Sequence, residues 1–158
     1  MDLLRPFFVE SGLATQLFIT SRWDYMTAFV RLMKERCHLL TDFTRLGYYF
    51  FIDDFTYDEK GVAKHFSKPQ AAEKLRRLHD AFAALPQFDV PNMESALRRL
   101  AETMGVPAAE LIHPTRLALS GLTGGPSLFE MMELIGKERC LARISKAIAF
   151  IEKNYPKS

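Results

Sequence analysis

Residues 113–139 read HPTRLALSGLTGGPSLFEMMELIGKER, and their punctuation decides the fold. Pro114 opens a helix through Leu117 to Leu119, because its fixed φ and missing N–H suit a first turn. Gly121 stands where that helix must stop, Gly124 and Gly125 form a turn, and Pro126 opens a second helix bearing Leu128, Phe129, Met132 and Leu134. Gly136 interrupts it. Over about 137–153, Leu141, Ile144, Ile148 and Ile151 then recur at helical spacing and share one inward stripe. Two helix starts and two stops with no alternating pattern between them predict an all-α chain.

The same signals extend towards the N-terminus. Asp89, followed by Val90 and Pro91, starts a helix through Met93, Leu97, Leu100 and Met104 that Gly105 ends, and Pro107 starts a brief one ending near Ile112, separate from that of Pro114. Ser67 caps a long helix from Pro69 to about Leu85, and Tyr57 to Phe66 forms a short one. Thr41 begins another through Phe43, Leu46 and Tyr49. The aromatic run at 48–51 has strand character, but its neighbours are helical and no partner strand exists, so helix is expected there too. Ser21 caps a helix whose stripe of Trp23, Met26, Phe29, Val30, Met33 and Cys37 faces a core. Asp2 caps an entry helix through Leu3, Leu4, Phe7 and Phe8, which Gly12 stops. The expected architecture is a compact all-α domain of two small helical subdomains, 1–66 and 67–158.

At 158 residues with 48% hydrophobic and 25% charged residues, the chain has the composition of a soluble globular protein. Its net charge of +2 does not by itself indicate a nucleic-acid partner, so the distribution of cations matters more, and Arg31, Lys34, Glu35, Arg36 and His38 form a cluster rich in positive charge near one helix end. No apolar run reaches the roughly 20 residues a membrane span needs, and no cleavage-like site follows the short apolar start, which points to a cytoplasmic protein with no membrane partner.

Several chemistries find no constellation. Cys37 and Cys140 lie far apart without zinc-type spacing and are read as free packing thiols; a reactive Cys37 activated by Arg36 and Lys34 is the alternative. His38, His65, His79 and His113 lack i, i+4 ligand partners, so no metal is expected and each is read as an ordinary surface or capping residue. Asp53, Asp54, Asp58 and Glu59 lack the glycine and spacing of a calcium loop and read as a solvated, capping turn. No Walker loop is present, Gly124 and Gly125 follow no strand, and no nucleophile–base pair converges, so no ATP site and no catalytic residue are expected.

The stretch at 113–139 resembles the C-terminal anticodon-binding region of bacterial-type glutamyl-tRNA synthetases, with their Pro-x-Arg-x-Ala-x-Thr-Gly helix end, Gly-Pro-x-Leu-Phe-Glu helix start and Gly-Lys-Glu-Arg. A weaker likeness lies at 32–43, LMKERCHLLTDF, leading to the aromatic run at 48–51, so the resemblance covers nearly the whole chain. It implies a partner, a glutamate-accepting tRNA, and a parent class I ligase that attaches glutamate using ATP and Mg. It also implies that the Rossmann-type catalytic domain belongs to the same polypeptide but has no counterpart here, so that this chain alone is not expected to aminoacylate. A monomer without a cofactor of its own is expected. The alternative is a free-standing all-helical module that binds RNA or acts as a protein adaptor.

The resemblance places Arg36 where the family's arginine reads the wobble base; its guanidinium fork can tell C from U by their different donors and acceptors. Gly124, Gly125, Ser127 and Leu128 form the second anticodon-binding group, with backbone N–H groups at a helix start and Leu128 against a base face. Arg31, Lys34, Arg45, Arg116, Lys137, Arg139 and Arg143 are candidates for the RNA backbone, Arg116 with an equal claim to bridging helices structurally. Glu130, Glu133 and Glu138 are expected to moderate the field. Ser120 replaces a commoner threonine and Thr115 a usual leucine, while Gly125 stands where some relatives offer a polar side chain.

Overall fold

The computed structural model describes residues 2–156, and among them every regular element is helical. The chain forms two compact units that divide between Asp54 and Phe55, earlier than the boundary at 66/67 that the sequence pattern suggests.

In the first unit a 3-10 turn at Asp2–Leu4 leads into α1 (Arg5–Ser11), and Gly12, left-handed at φ 78, ends it as expected. A short helix that the sequence pattern did not predict follows, α2 (Gln16–Ser21), started by the Thr15 hydroxyl accepting the Phe18 N–H. Ser21 therefore ends a helix instead of capping one, and α3 (Trp23–Met33) begins directly after Arg22. A 3-10 turn, Lys34–Arg36, extends α3; α4 (Leu40–Gly47) and a 3-10 turn at Tyr48–Phe50 complete the unit. Helix, not strand, is what the aromatic run forms. The reason lies in the packing: Phe8, Phe29 and Phe51 meet edge-on or tilted with centroids 5.0–5.7 Å apart, and the buried Tyr25 hydroxyl donates to the Phe50 carbonyl at 2.6 Å. Met26, Phe29 and Met33 are buried as their spacing predicts. Trp23 is not: it is 39% exposed, with the Arg5 guanidinium 5.6 Å over its ring.

The second unit starts with Asp58, whose carboxylate accepts the Gly61 N–H and caps α5 (Glu59–Gly61), and the chain runs on through a π-helical turn, Val62–Phe66. This segment belongs with the C-terminal helices. Asp58 N–H donates to the Gly121 carbonyl at 2.8 Å, and Tyr57 packs edge-on against Phe66 and Phe150 with centroids 5.2 and 4.9 Å away. Burial of that ring pushes the Tyr57 hydroxyl pKa up to about 12. The Ser67 hydroxyl does not cap the next helix; it donates back to the Ala63 carbonyl and closes the π turn, and α6 (Ala71–Ala83) starts after Gln70 at φ 68.

Asp89 caps α7 (Val90–Met104) and left-handed Gly105 ends it, both as expected. The two short helices expected around Pro107 and Pro114 are one, α8 (Ala109–Ser120), with Pro114 inside it. The proline removes one ladder N–H, yet the helix continues through it with Pro114 buried. Thr115, wholly buried, donates its hydroxyl to the Leu111 carbonyl at 2.7 Å, so its polar atom is satisfied inside the core. α9 (Leu128–Ile135) and α10 (Lys137–Asn154) are separated by Gly136. α10 lies along α6 and α8, and Leu75, Leu78, Phe82, Met93, Leu97, Ile144 and Ile151 fill the space between the helices.

Candidate nucleic-acid interface

The first unit presents cations at the end of α3. Arg31 lies in its last turn, and Lys34 and Arg36 lie in the 3-10 turn beyond it. All three are exposed, and no anionic side chain among the described residues pairs with them. Cations here also meet the helix's negative end, which favours them by a few tenths of a kcal/mol up to about 1.

The loop that follows is pinned by one residue to which the sequence pattern gave no role. The Asp42 carboxylate accepts the N–H groups of His38 and Leu39, each at 3.0 Å, and its other oxygen holds the Arg45 guanidinium at 3.0 Å. The Leu39 N–H, then Arg45, then the His38 N–H pull its pKa down to about 2. Arg45 therefore positions the loop, although its side chain remains 68% exposed. The signal for Asp42 was an acid three residues into a helix, where it can reach back to free N–H groups. Cys37, beside Arg36, is half-buried, and its pKa is raised by desolvation and then by Asp42; this is the opposite of an activated thiol and agrees with a packing role. Burial pushes the Cys140 thiol up to about 12.

In the second unit the glycine turn is held from behind. Arg116 donates to the Pro126 carbonyl at 2.6 Å, so of its two expected roles it fills the structural one. The Ser120 hydroxyl donates to the Arg116 carbonyl at 2.8 Å and accepts the Leu122 N–H at 3.0 Å, so it ties the end of α8 to the turn that follows. Gly125 has φ 145, a conformation that side chains oppose, while Gly124 is exposed with open space around it. Exposed Ser127 starts α9 without a side-chain cap, leaving first-turn N–H groups for another acceptor.

Other members of the predicted set are committed to the fold. Leu128 is 3% exposed and lies in the core, so it offers no face to a base. Arg143 is 4% exposed, donates to the Leu119 carbonyl at 2.7 Å and lies 5.1 Å from the Phe55 ring centroid. It joins α10 to the end of α8 rather than reaching a phosphate. The Lys137 ammonium donates to the Leu85 carbonyl at 2.9 Å and ties the start of α10 to the end of α6. Arg139 is half-buried and already engaged. Glu133 accepts the Val90 N–H at 2.9 Å, so this exposed carboxylate also helps cap α7. The spacing rules could not foresee the roles of Arg116, Glu133, Lys137 and Arg143, because each partner is a backbone carbonyl or N–H supplied by another segment.

A second cluster was not anticipated. His65 and His113 stack at 5.3 Å with their planes 20° apart, in a cleft of about 220 Å³ that Lys64, Lys68, Lys74 and Glu110 also line. Among the described residues no group of three or more His, Cys, Asp or Glu side chains could hold a metal ion, and no helix is long and apolar enough to cross a membrane.

The model of the anticodon binding domain matches residues 1–148. The chain belongs to that family. It is 42% identical over 98% of its length to a glutamate–tRNA ligase of Desulforudis audaxviator and 40% identical over 96% to one of Moorella thermoacetica. It spans only 31% of each of those relatives. Among solved structures, a glutamate tRNA ligase from Elizabethkingia meningosepticum matches 95% of the chain with a TM-score of 0.79 at 28% identity, the chain covering 29% of that protein. The all-helical architecture and the likeness read from residues 113–139 thus agree with the relatives: the chain corresponds to the helical anticodon-binding part of such ligases.

Proposed function

We propose that this chain recognises the anticodon of a glutamate-accepting tRNA for a glutamate–tRNA ligase whose catalytic domain is carried by the same polypeptide. The observation that carries this reading is the exposed, unpaired trio Arg31, Lys34 and Arg36 within the region matched by the anticodon binding domain. Arg36 reads the wobble base with its guanidinium fork, Arg31 and Lys34 meet neighbouring phosphates, and Arg45 adds a further contact with the donors that Asp42 leaves over. In the second unit, the backbone N–H groups of Gly124 and Gly125 and those of the first turn after Ser127 donate to a base oxygen or phosphate. The parent ligase supplies ATP and Mg chemistry; this chain contributes recognition, as a monomer in the cytoplasm.

Filter binding of the full chain to transcripts differing only in C or U at the wobble position tests this. Arg36→Gln should reduce the preference for C by about tenfold while leaving overall affinity within a few-fold. Equal loss for both transcripts would remove Arg36 from base reading. Binding that does not weaken with salt would argue against an RNA-backbone interface altogether.

A further inference from the structure

The stacked imidazoles sit where three elements converge. His65 and Lys64 come from the π turn, Lys68 from the link before α6, Lys74 from α6, and His113 and Glu110 from α8. Lys74, only 12% exposed at its side chain, is fixed by Glu110 at 2.9 Å and forms the back of the cleft. Lys64 and Lys68 are exposed at its mouth, and no anionic side chain among the described residues pairs with them. Three lysines against one glutamate leave the lining positive even with both imidazoles neutral. Ala71, Ala109 and Pro114 give it a smooth apolar wall that offers no competing acceptor side chain.

Bringing like charges together opposes folding, and both Lys64 and Lys68 are exposed rather than part of the core. The conflict is visible at His65, whose pKa is lowered by burial first and then by His113, Lys64 and Lys68. A cluster that costs the free protein electrostatic energy and faces an open cleft is the arrangement expected of a site completed by an anion. The first turns of α6 and α8 add their partial positive charge to the same space.

We propose that this cleft binds a phosphate group, held by Lys64, Lys68 and the His65–His113 pair that line it. The chemistry is shared by a phosphodiester of an RNA backbone and by a small free phosphate. The first source rests on the tRNA-binding reading above; the second does not. A bound anion favours the imidazolium, so binding strengthens as pH falls through the neutral range. Glu110, the one carboxylate in the lining, is already occupied by Lys74 and does not cancel the mouth lysines.

The test follows the imidazole Cε1 protons of His65 and His113 by NMR in the full chain, at constant ionic strength with chloride as the matched salt. Inorganic phosphate is one probe. Dimethyl phosphate is the other, because its single charge does not change near neutrality and so isolates the protein's own titration. Saturable shifts of both histidines are expected, with dimethyl phosphate about fivefold tighter at pH ~6 than at pH ~8. The double variant Lys64→Gln, Lys68→Gln should weaken either probe about tenfold and raise the His65 pKa without any ligand, while amide signals elsewhere confirm an unchanged fold. No saturable shift in the wild type, or equal shifts in the double variant, overturns the proposal. Adding tRNA separates the sources: displacement of inorganic phosphate assigns the cleft to the RNA backbone, and tRNA binding with the probe still seated assigns it to a small phosphate. If tRNA fails to bind while the probes still do, the anticodon reading falls and the cleft stands.

Discussion

Arg143→Met separates a folding cation from a binding one. The substitution keeps an apolar stem of similar length on α10 but removes the donor that holds the Leu119 carbonyl at 2.7 Å and the charge 5.1 Å from the Phe55 ring centroid. Leaving a buried carbonyl without its charged donor costs about 1.5–3 kcal/mol, and losing the cation–π contact adds roughly 0.5–2. Methionine offsets part of this by sparing the desolvation of a charge, so a net loss of about 2–3 kcal/mol is expected. Urea unfolding followed by far-ultraviolet circular dichroism should show the transition of the second unit at lower denaturant. Trp23, the one tryptophan, lies in the first unit, so its fluorescence transition should stay in place. The salt dependence of tRNA binding, measured well below the unfolding transition, should not change. Lys34→Ala should do the reverse, lowering the salt slope by about 0.7 with little effect on stability. An Arg143→Met protein of wild-type stability whose salt slope falls by that amount would refute the assignment.

Gly121→Ala should cost the second unit more than about 3 kcal/mol, because a Cβ there lies 2.4 Å from the Thr56 carbonyl oxygen at a left-handed φ of 76; recovery of a wild-type melting curve would contradict this. Asp42 should make the first unit acid-sensitive. Its folded pKa of about 2 lies below the unfolded carboxylate value near ~3.9, so its contribution is complete above about pH 4 and fades as pH falls towards 2. Trp23 fluorescence melts should therefore steepen with acid in the wild type and less so in Asp42→Asn; parallel curves would exclude the carboxylate. A disulfide reagent in native buffer should label Cys37 and spare Cys140 until unfolding, since the first is half-buried and the second wholly buried.

Residues that act through their own neighbours were legible in the sequence. Gly12, Gly105 and Gly121 end helices because left-handed backbone is a local property, and Asp58 and Asp89 start them because a carboxylate reaches an N–H three residues on. Helical periodicity gave part of the buried faces of α3 and α10: Met26, Phe29, Met33, Ile144 and Ile151 are buried, whereas Leu141 and Ile148 are half-buried and Trp23 is exposed. The exposed cations at the end of α3 were legible too, as a run of charge near a helix terminus. What failed was anything that needed a second helix. Two prolines suggested two helices where tertiary packing sustains one through Pro114, and Ser67, placed as a cap, closes a π turn instead.

The sequence by itself determined an all-helical chain, its main helix stops, and the family likeness carried by residues 113–139. Only the tertiary structure decided which cations remain available. Arg116, Lys137 and Arg143 share the formal charge of Arg31, Lys34 and Arg36, but each is held by a backbone carbonyl of another segment. It also placed Leu128 in the core and stacked His65 on His113 across a basic cleft. Charge and hydrophobicity are properties of a residue, whereas a hydrogen-bond partner or a cleft wall comes from chain that is distant in sequence and near only after folding.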